Sequence, residues 1–238
     1  MLLIPLGAAA ADPLPFPAFR FGLESAANPD DVAVTLQIIA FITIVTLAPS
    51  ILILMTSFTR ILIVFSFLRT AMGTQQMPPN QVLVGLALFL TFFIMTPVFN
   101  QAYEKGLQPY FAEQMGFVEM LNEVKKPFRE FMIKNTRKKD MRMFIDIAGG
   151  EKPKTVEEIP DFVLLSSFVV SELQTAFQMG FLLFLPFLII DFVVASVLLS
   201  MGMMMLPPVM ISVPFKILLF VLVDGWGLIV SSLVKSFM

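Results

Sequence analysis

The chain has 238 residues, 57% of them hydrophobic, and a formal net charge of −2, with a mean hydropathy of +0.85. That apolar share exceeds a soluble domain's and points to a membrane or membrane-like setting, while the near-neutral balance gives no reason to expect nucleic acid as a partner. Cysteine and histidine are both absent. This excludes disulfides and thiolate chemistry, and it removes the usual general base and the commonest metal ligand. No glycine-rich phosphate loop and no nucleophile–base pairing is present. The expectation is a protein that is not an enzyme and holds no cofactor or metal.

The chain opens with "MLLIPLGAAAADPLPFP", a short apolar run followed by small residues. The pattern resembles the end of a secretory signal peptide, cleaved near Ala10 or Ala11, although a basic n-region is missing. Residues 1–22 are assigned to this signal or its remnant, with a disordered tail as the alternative. Asn28-Pro29-Asp30-Asp31 then supplies a helix start: a cap, a proline at the first helical position and acidic residues in the first turn. Residues 23–103 form the N-terminal apolar helices. One tract runs from about Leu36 to Leu68, interrupted by Pro49 and Arg60. After a break at Met77-Pro78-Pro79-Asn80, a second runs from Val82 to Val98.

Residues 104–161 change character, with eleven Lys/Arg and eleven Asp/Glu. Phe111, Met115, Val118 and Leu121 follow helical spacing, as do Met141, Phe144, Ile145 and Ala148. Gly149-Gly150 ends the second pattern, and "EKPKTVEEIP" reads as a turn or linker. The segment is predicted to be two or three amphipathic helices with one face in water. Its basic residues favour the cytoplasm on a positive-inside count. A cleaved signal favours the opposite side, and the residues alone leave both placements open.

Residues 162–238 form a C-terminal helical hairpin around a methionine-rich loop. A third apolar tract runs from Phe162 to Met205 and a fourth from Val209 to Val234. Each tract is long enough to cross a hydrocarbon core of about 30 Å. Helix is the expected state, because only helices or closed barrels satisfy the backbone there. Pro186 and Pro214 are expected to bend their helices.

Arg60, Arg69, Glu172, Asp191, Lys216 and Asp224 lie in otherwise apolar surroundings. A charge at the bilayer centre costs about 2.5–3.5 kcal/mol on insertion scales, so these groups must pair, face water or avoid lipid. If the chain reverses near Met204, Asp191 comes level with Lys216, and Glu172 with Lys235. An Asp191–Lys216 contact is therefore expected, within one hairpin or between copies. Structural ion pairing is favoured over a proton relay through the carboxylates.

The blocks "GTQQMPPNQ" (Gly73–Gln81), "MGMMMLPP" (Met201–Pro208) and "FVLVDGW" (Phe220–Trp226) sit within two long stretches, Pro49–Phe99 and Ser171–Trp226. With the charged insert between them, these closely resemble the FliP family, which includes the SctR subunit of virulence type III secretion systems. The similarity spans about Leu36 to Val234, and the first and last blocks fit the flagellar branch better. The resemblance implies an all-α fold of membrane-associated helical hairpins with an amphipathic helical insert, assembling into a helical ring. It implies a core pore-forming subunit of the flagellar type III export gate, in the bacterial inner membrane and the flagellar basal body. A homo-oligomer of five copies, joined by FliR and FliQ, with FlhB at the base and FliO during assembly, would pass unfolded flagellar subunits outward. The insert would then be periplasmic, and much of the apolar surface would meet neighbouring protein.

The family's methionine constriction maps onto Met203, Met204 and Met205. Thioether side chains are flexible and apolar, so a ring of them can exclude water and still part around varied peptides. The plainer alternative is that these methionines fill gaps in a turn. Phe131 and Phe144, apolar residues among charges, are expected either at subunit contacts or packed onto their own helix pair, and Glu172, whose carboxylate would be costly unpaired, is a further candidate for a subunit contact. Asp191, Lys216 and Asp224 are expected in buried ion pairing. The competing function is a subunit of a proton-coupled membrane transporter using Glu172, Asp191 and Asp224.

Overall fold

The computed structural model describes residues 53–74, 77–149, 155–203 and 205–238, with isolated positions at 39, 42, 43, 45, 46, 50 and 153. The expected signal segment 1–22, the Asn28–Asp31 helix start, Pro49, Gly150 and Met204 lie outside the described residues. The chain divides into two compact units, Met1–Thr46 and Leu47–Met238. All elements discussed below belong to the second. Among the described residues, every regular element is helical.

Helix α1 spans Phe58–Ala71 and buries Phe58, Ile61, Phe65 and Leu68, a stripe at three- and four-residue spacing. Gly73, at φ +73°, ends it in a conformation that favours glycine. Helix α2 spans Asn80–Ala102. A π-helical turn, Tyr103–Leu107, carries it into the short α3, Gln108–Phe111. One apolar helix of 32 residues therefore runs from Asn80 to Phe111, long enough to cross a membrane. Gly106 in the π turn is buried, and a Cβ there would meet Val124 Cγ2 at 2.5 Å and the Val124 backbone nitrogen at 3.1 Å. The next helix can approach only because that side chain is missing.

The insert consists of α4, Phe117–Asn135, and α5, Lys138–Ala148. The expected stripe of Phe111, Val118 and Leu121 is exposed within the chain. Helix α4 instead buries Met120, Pro127, Phe131 and Met132, the face that its approach to α2 and α6 selects. In α5, Met141, Phe144 and Ile145 do pack against the main core, whereas Ala148, the fourth residue of the expected stripe, is exposed, and Gly149 at φ +68° follows the helix end. Arg129 secures the return segment, donating to the carbonyls of Val156 (3.1 Å) and Glu157 (2.9 Å), to that of Ile159, and to Asp161. Glu157 is held below the usual carboxylate range, first by its own backbone N–H and then by the Thr155 side chain.

Helix α6 spans Asp161–Ser200, 40 residues and about 60 Å at 1.5 Å per residue. Its first half buries Leu164, Phe168, Glu172, Ala176 and Gly180, again one stripe. Gly180 lies so close to the Phe67 ring that a Cβ would come within 2.6 Å of it. Helix α7 spans Pro208–Leu222 and α8 spans Gly225–Lys235. The fourth apolar tract is therefore two helices bent by 64°, not one. The bend is not at a proline: Pro186 and Pro214 lie inside continuous helices. The break falls at Asp224, which takes a left-handed φ of +50°. Trp226 then packs edge-on against Phe65 and Phe220, so the turn is held by aromatic contact.

The main core lies between α1, α2, α4 and the first half of α6, with Leu233 and Phe237 closing it. A smaller cluster joins Leu68, Ala71 and Met72 to Phe187 and Phe220. Beyond these, α6 and α7 carry many large apolar side chains on their outer faces.

Candidate functional site

The α6–α7 connection carries the methionines. Gly202, at φ +76°, stops α6: its N–H donates to Leu199 O at 3.1 Å, and the Met203 N–H donates to Leu198 O at 3.0 Å. This pair of bonds is a Schellman stop, which satisfies carbonyls that the helix end would leave free. Pro207 and Pro208 start α7, since a proline at the first helical position gives up no needed donor. The described residues between stop and start, Met203, Met205, Leu206 and Pro207, are exposed. Met203 is 44% exposed and Met205 97% exposed, with Met201 and Met210 also exposed. The gap-filling alternative does not describe Met203 or Met205, because neither side chain is enclosed by its own chain.

Below the loop, a polar node ties the hairpin together. Lys216 Nζ lies 2.7 Å from Asp191 Oδ2 and donates to Ala71 O at 3.1 Å. The Ser212 hydroxyl donates to Asp191 Oδ1. Lys216 and Ser212 are buried. The contact joins α6 to α7 within one chain, and the lysine also caps an open carbonyl at the end of α1. Ser212 and the Ala71 carbonyl were not identified from the sequence. Ser212 lies one helical turn before Lys216, which is the only signal that could have suggested it. Asp224, grouped with this pair from the sequence, is exposed at the α7–α8 break and joins neither residue.

A second node sits at the other end of the core. Arg60 Nε donates to Glu172 Oε2 at 2.9 Å, and a second guanidinium nitrogen pairs with Oε1. Arg60 also donates to Ser236 O (3.0 Å) and Ser236 Oγ (2.8 Å), and its Cζ lies 3.8 Å from the centre of the Phe237 ring. Glu172 therefore finds its partner inside its own chain. Lys235, the residue that counting brought level with it, is exposed one position before Ser236. Hairpin counting compares only two arms and cannot see a helix arriving from elsewhere. Phe131 is likewise enclosed, edge-on to Phe168 and stacked on Phe237. Neither Phe131 nor Glu172 offers side-chain surface to a second copy here, whereas Phe144 stays partly exposed. Glu172 and Asp191 are 19 residues apart on α6, about 28 Å, so the structure does not gather the carboxylates into one relay.

The model of the FliP family matches residues 41–233. The chain belongs to the FliP family. Its relatives include the flagellar biosynthetic protein FliP of Bacillus subtilis (strain 168), 56% identical over 213 residues, 90% of this chain and 96% of that protein. The flagellar biosynthetic protein FliP of Borreliella burgdorferi is 50% identical over 211 residues, 87% of this chain and 83% of its own. That of Treponema denticola is 47% identical over 224 residues, covering 93% and 83%. The family match extends over the methionine loop, over Asp191, Ser212 and Lys216, and over Arg60 and Glu172, whereas Ser236 and Phe237 lie beyond its last residue, 233.

Proposed function

We propose that this chain is a core pore-forming subunit of the flagellar type III export gate, and that Met203, Met204 and Met205 seal its pore. Family membership supports a role in building the flagellum. The observation that carries the finer reading is the loop: exposed methionines at the tip of a hairpin whose base is locked by Asp191, Ser212 and Lys216. A flexible apolar tip on a rigid stem suits a gasket, because the stem sets the ring's diameter and the thioethers adapt to whatever passes. Five copies would surround the pore together with FliR and FliQ, with FlhB at the base and FliO assisting assembly. The complex would sit in the bacterial inner membrane with the insert on the periplasmic side. The outward apolar side chains of α6 and α7 are then the surfaces that neighbouring helices cover, with Phe144 at the edge of a contact between copies.

The test is ion conductance of membranes carrying the assembled complex. Replacing Met203, Met204 and Met205 together with alanine is expected to make the membranes leak ions while the complex keeps its size. Unchanged conductance in that variant would remove the sealing role.

A further inference from the structure

The stretch "MGMMMLPPVMI", residues 201–211, has no polar side chain and holds five of the chain's 17 methionines. Four of them, Met201, Met203, Met205 and Met210, are exposed, whereas Met72, Met95, Met120 and Met132 are buried. Among the described residues the other exposed methionines, Met77, Met143 and Met238, stand singly elsewhere in the chain. Cysteine is absent, so thioethers are the only sulfur present. A peroxide therefore has one kind of sulfur to attack, and exposure decides which members react first.

An oxygen added at this loop finds little that could absorb its polarity. The hydroxyls on either side are engaged: Ser200 Oγ donates to Val197 O at 2.7 Å, and Ser212 Oγ donates to Asp191. Lys216, the first cation after the loop, is buried against Asp191 and the Ala71 carbonyl. A sulfoxide oxygen is a strong acceptor, and with no free side-chain donor between 200 and 212 it binds water. Neither Met203 nor Met205 is enclosed, so the change alters the polarity of the loop without disturbing a packed core.

We propose that the methionine loop is a redox-modifiable site, at which hydrogen peroxide converts thioethers to sulfoxides and thereby opens the seal to water and ions. This rests on the sealing role proposed above. The sulfur lone pair attacks one peroxide oxygen and the O–O bond breaks. The departing hydroxide takes the proton from the new S–OH group and leaves as water. Sulfur is oxidised by two electrons, and the peroxide is reduced by two. A constriction that excludes water by dewetting needs an apolar wall, and sulfoxides make that wall wettable. Thiol-dependent methionine sulfoxide reductases return the thioether, with the oxygen leaving as water and the thiols ending as a disulfide. The switch is therefore reversible, and the thiol has no cysteine to act on in the chain itself.

The experiment treats the complex, assembled from full chains in membranes, with hydrogen peroxide and reads peptide mass spectra and ion conductance together. Met203 and Met205 are expected to gain one oxygen each about ten-fold or more faster than Met95 and Met132. Conductance is expected to rise with that gain, and to fall back when methionine sulfoxide reductases and dithiothreitol are added. Whatever its starting conductance, the M203L/M204L/M205L variant is expected to show no rise on peroxide. The M77L/M143L variant, which keeps the loop, is expected to respond as wild type. Loop methionines oxidised no faster than the buried ones would overturn the proposal. So would a rise in the leucine loop variant, or the loss of the rise in M77L/M143L. Full oxidation of the loop at unchanged conductance also overturns it, and the alanine variant then separates the two readings. If that variant leaks, the sealing role stands without the switch; if it does not, both fall.

Discussion

Arg60 and Glu172, 112 residues apart in sequence, share a charge-assisted pair inside the core, with Nε 2.9 Å from Oε2 and side chains 3% and 1% exposed. The pair joins α1 to α6, and through Ser236 and Phe237 it also secures the end of the chain after α8. A buried pair of this kind does not add stability in proportion to its Coulomb attraction, since both ions lose their hydration. Removing one partner is what costs. Arg60→Ala or Glu172→Ala is therefore expected to destabilise the purified chain by about 3–5 kcal/mol. The double replacement Arg60→Met with Glu172→Leu is expected to recover most of that loss. Thermal unfolding followed by the fluorescence of Trp226, the one tryptophan, reads both. A double variant as unstable as the sum of the two single ones would contradict this account.

The node at Asp191 gives a graded expectation. Ser212→Ala removes one donor from a carboxylate that keeps its lysine, a loss of about 1–2 kcal/mol. Asp191→Ala leaves a buried ammonium with only the Ala71 carbonyl, and is expected to cost about 3 kcal/mol or more. The same replacement made in a Lys216→Ala background should cost clearly less, because the two residues act as a unit. Equal effects in both backgrounds, measured by the same melting curves, would show that the contact carries no coupling.

Gly106 tests the close approach of α4 to the π turn. A methyl group there would strike Val124 side chain and backbone together, and backbone cannot step aside as a flexible side chain can. Gly106→Ala is expected to destabilise by about 1–3 kcal/mol, although alanine is the better helix former. Gly85→Ala in α2 has open space around its Cβ and should stabilise slightly. A stabilised Gly106→Ala chain would rule out the tight contact.

Much of the architecture was legible because it follows from local chemistry. Four apolar tracts and a charged insert dictate helices and an all-α fold, and helical period alone marks α5's packed face, Met141, Phe144 and Ile145. The hairpin tip was legible too, since the adjacent prolines Pro207 and Pro208 break one helix and suit the start of the next. Counting from that tip brings Asp191 level with Lys216, because the two arms of a hairpin share one rise per residue. Tertiary packing decided the rest. Glu172 took Arg60, not a residue of the opposite arm, because α1 lies against α6 there. The tract 209–234 broke at Asp224 rather than at Pro214, because the Trp226 ring packs against Phe65 and Phe220 only when the chain turns. Phe131 and the stripe at Phe111–Leu121 exchanged places between surface and core for a similar reason. Sequence period states that a helix has an apolar face, but only the neighbouring helices determine which face is covered.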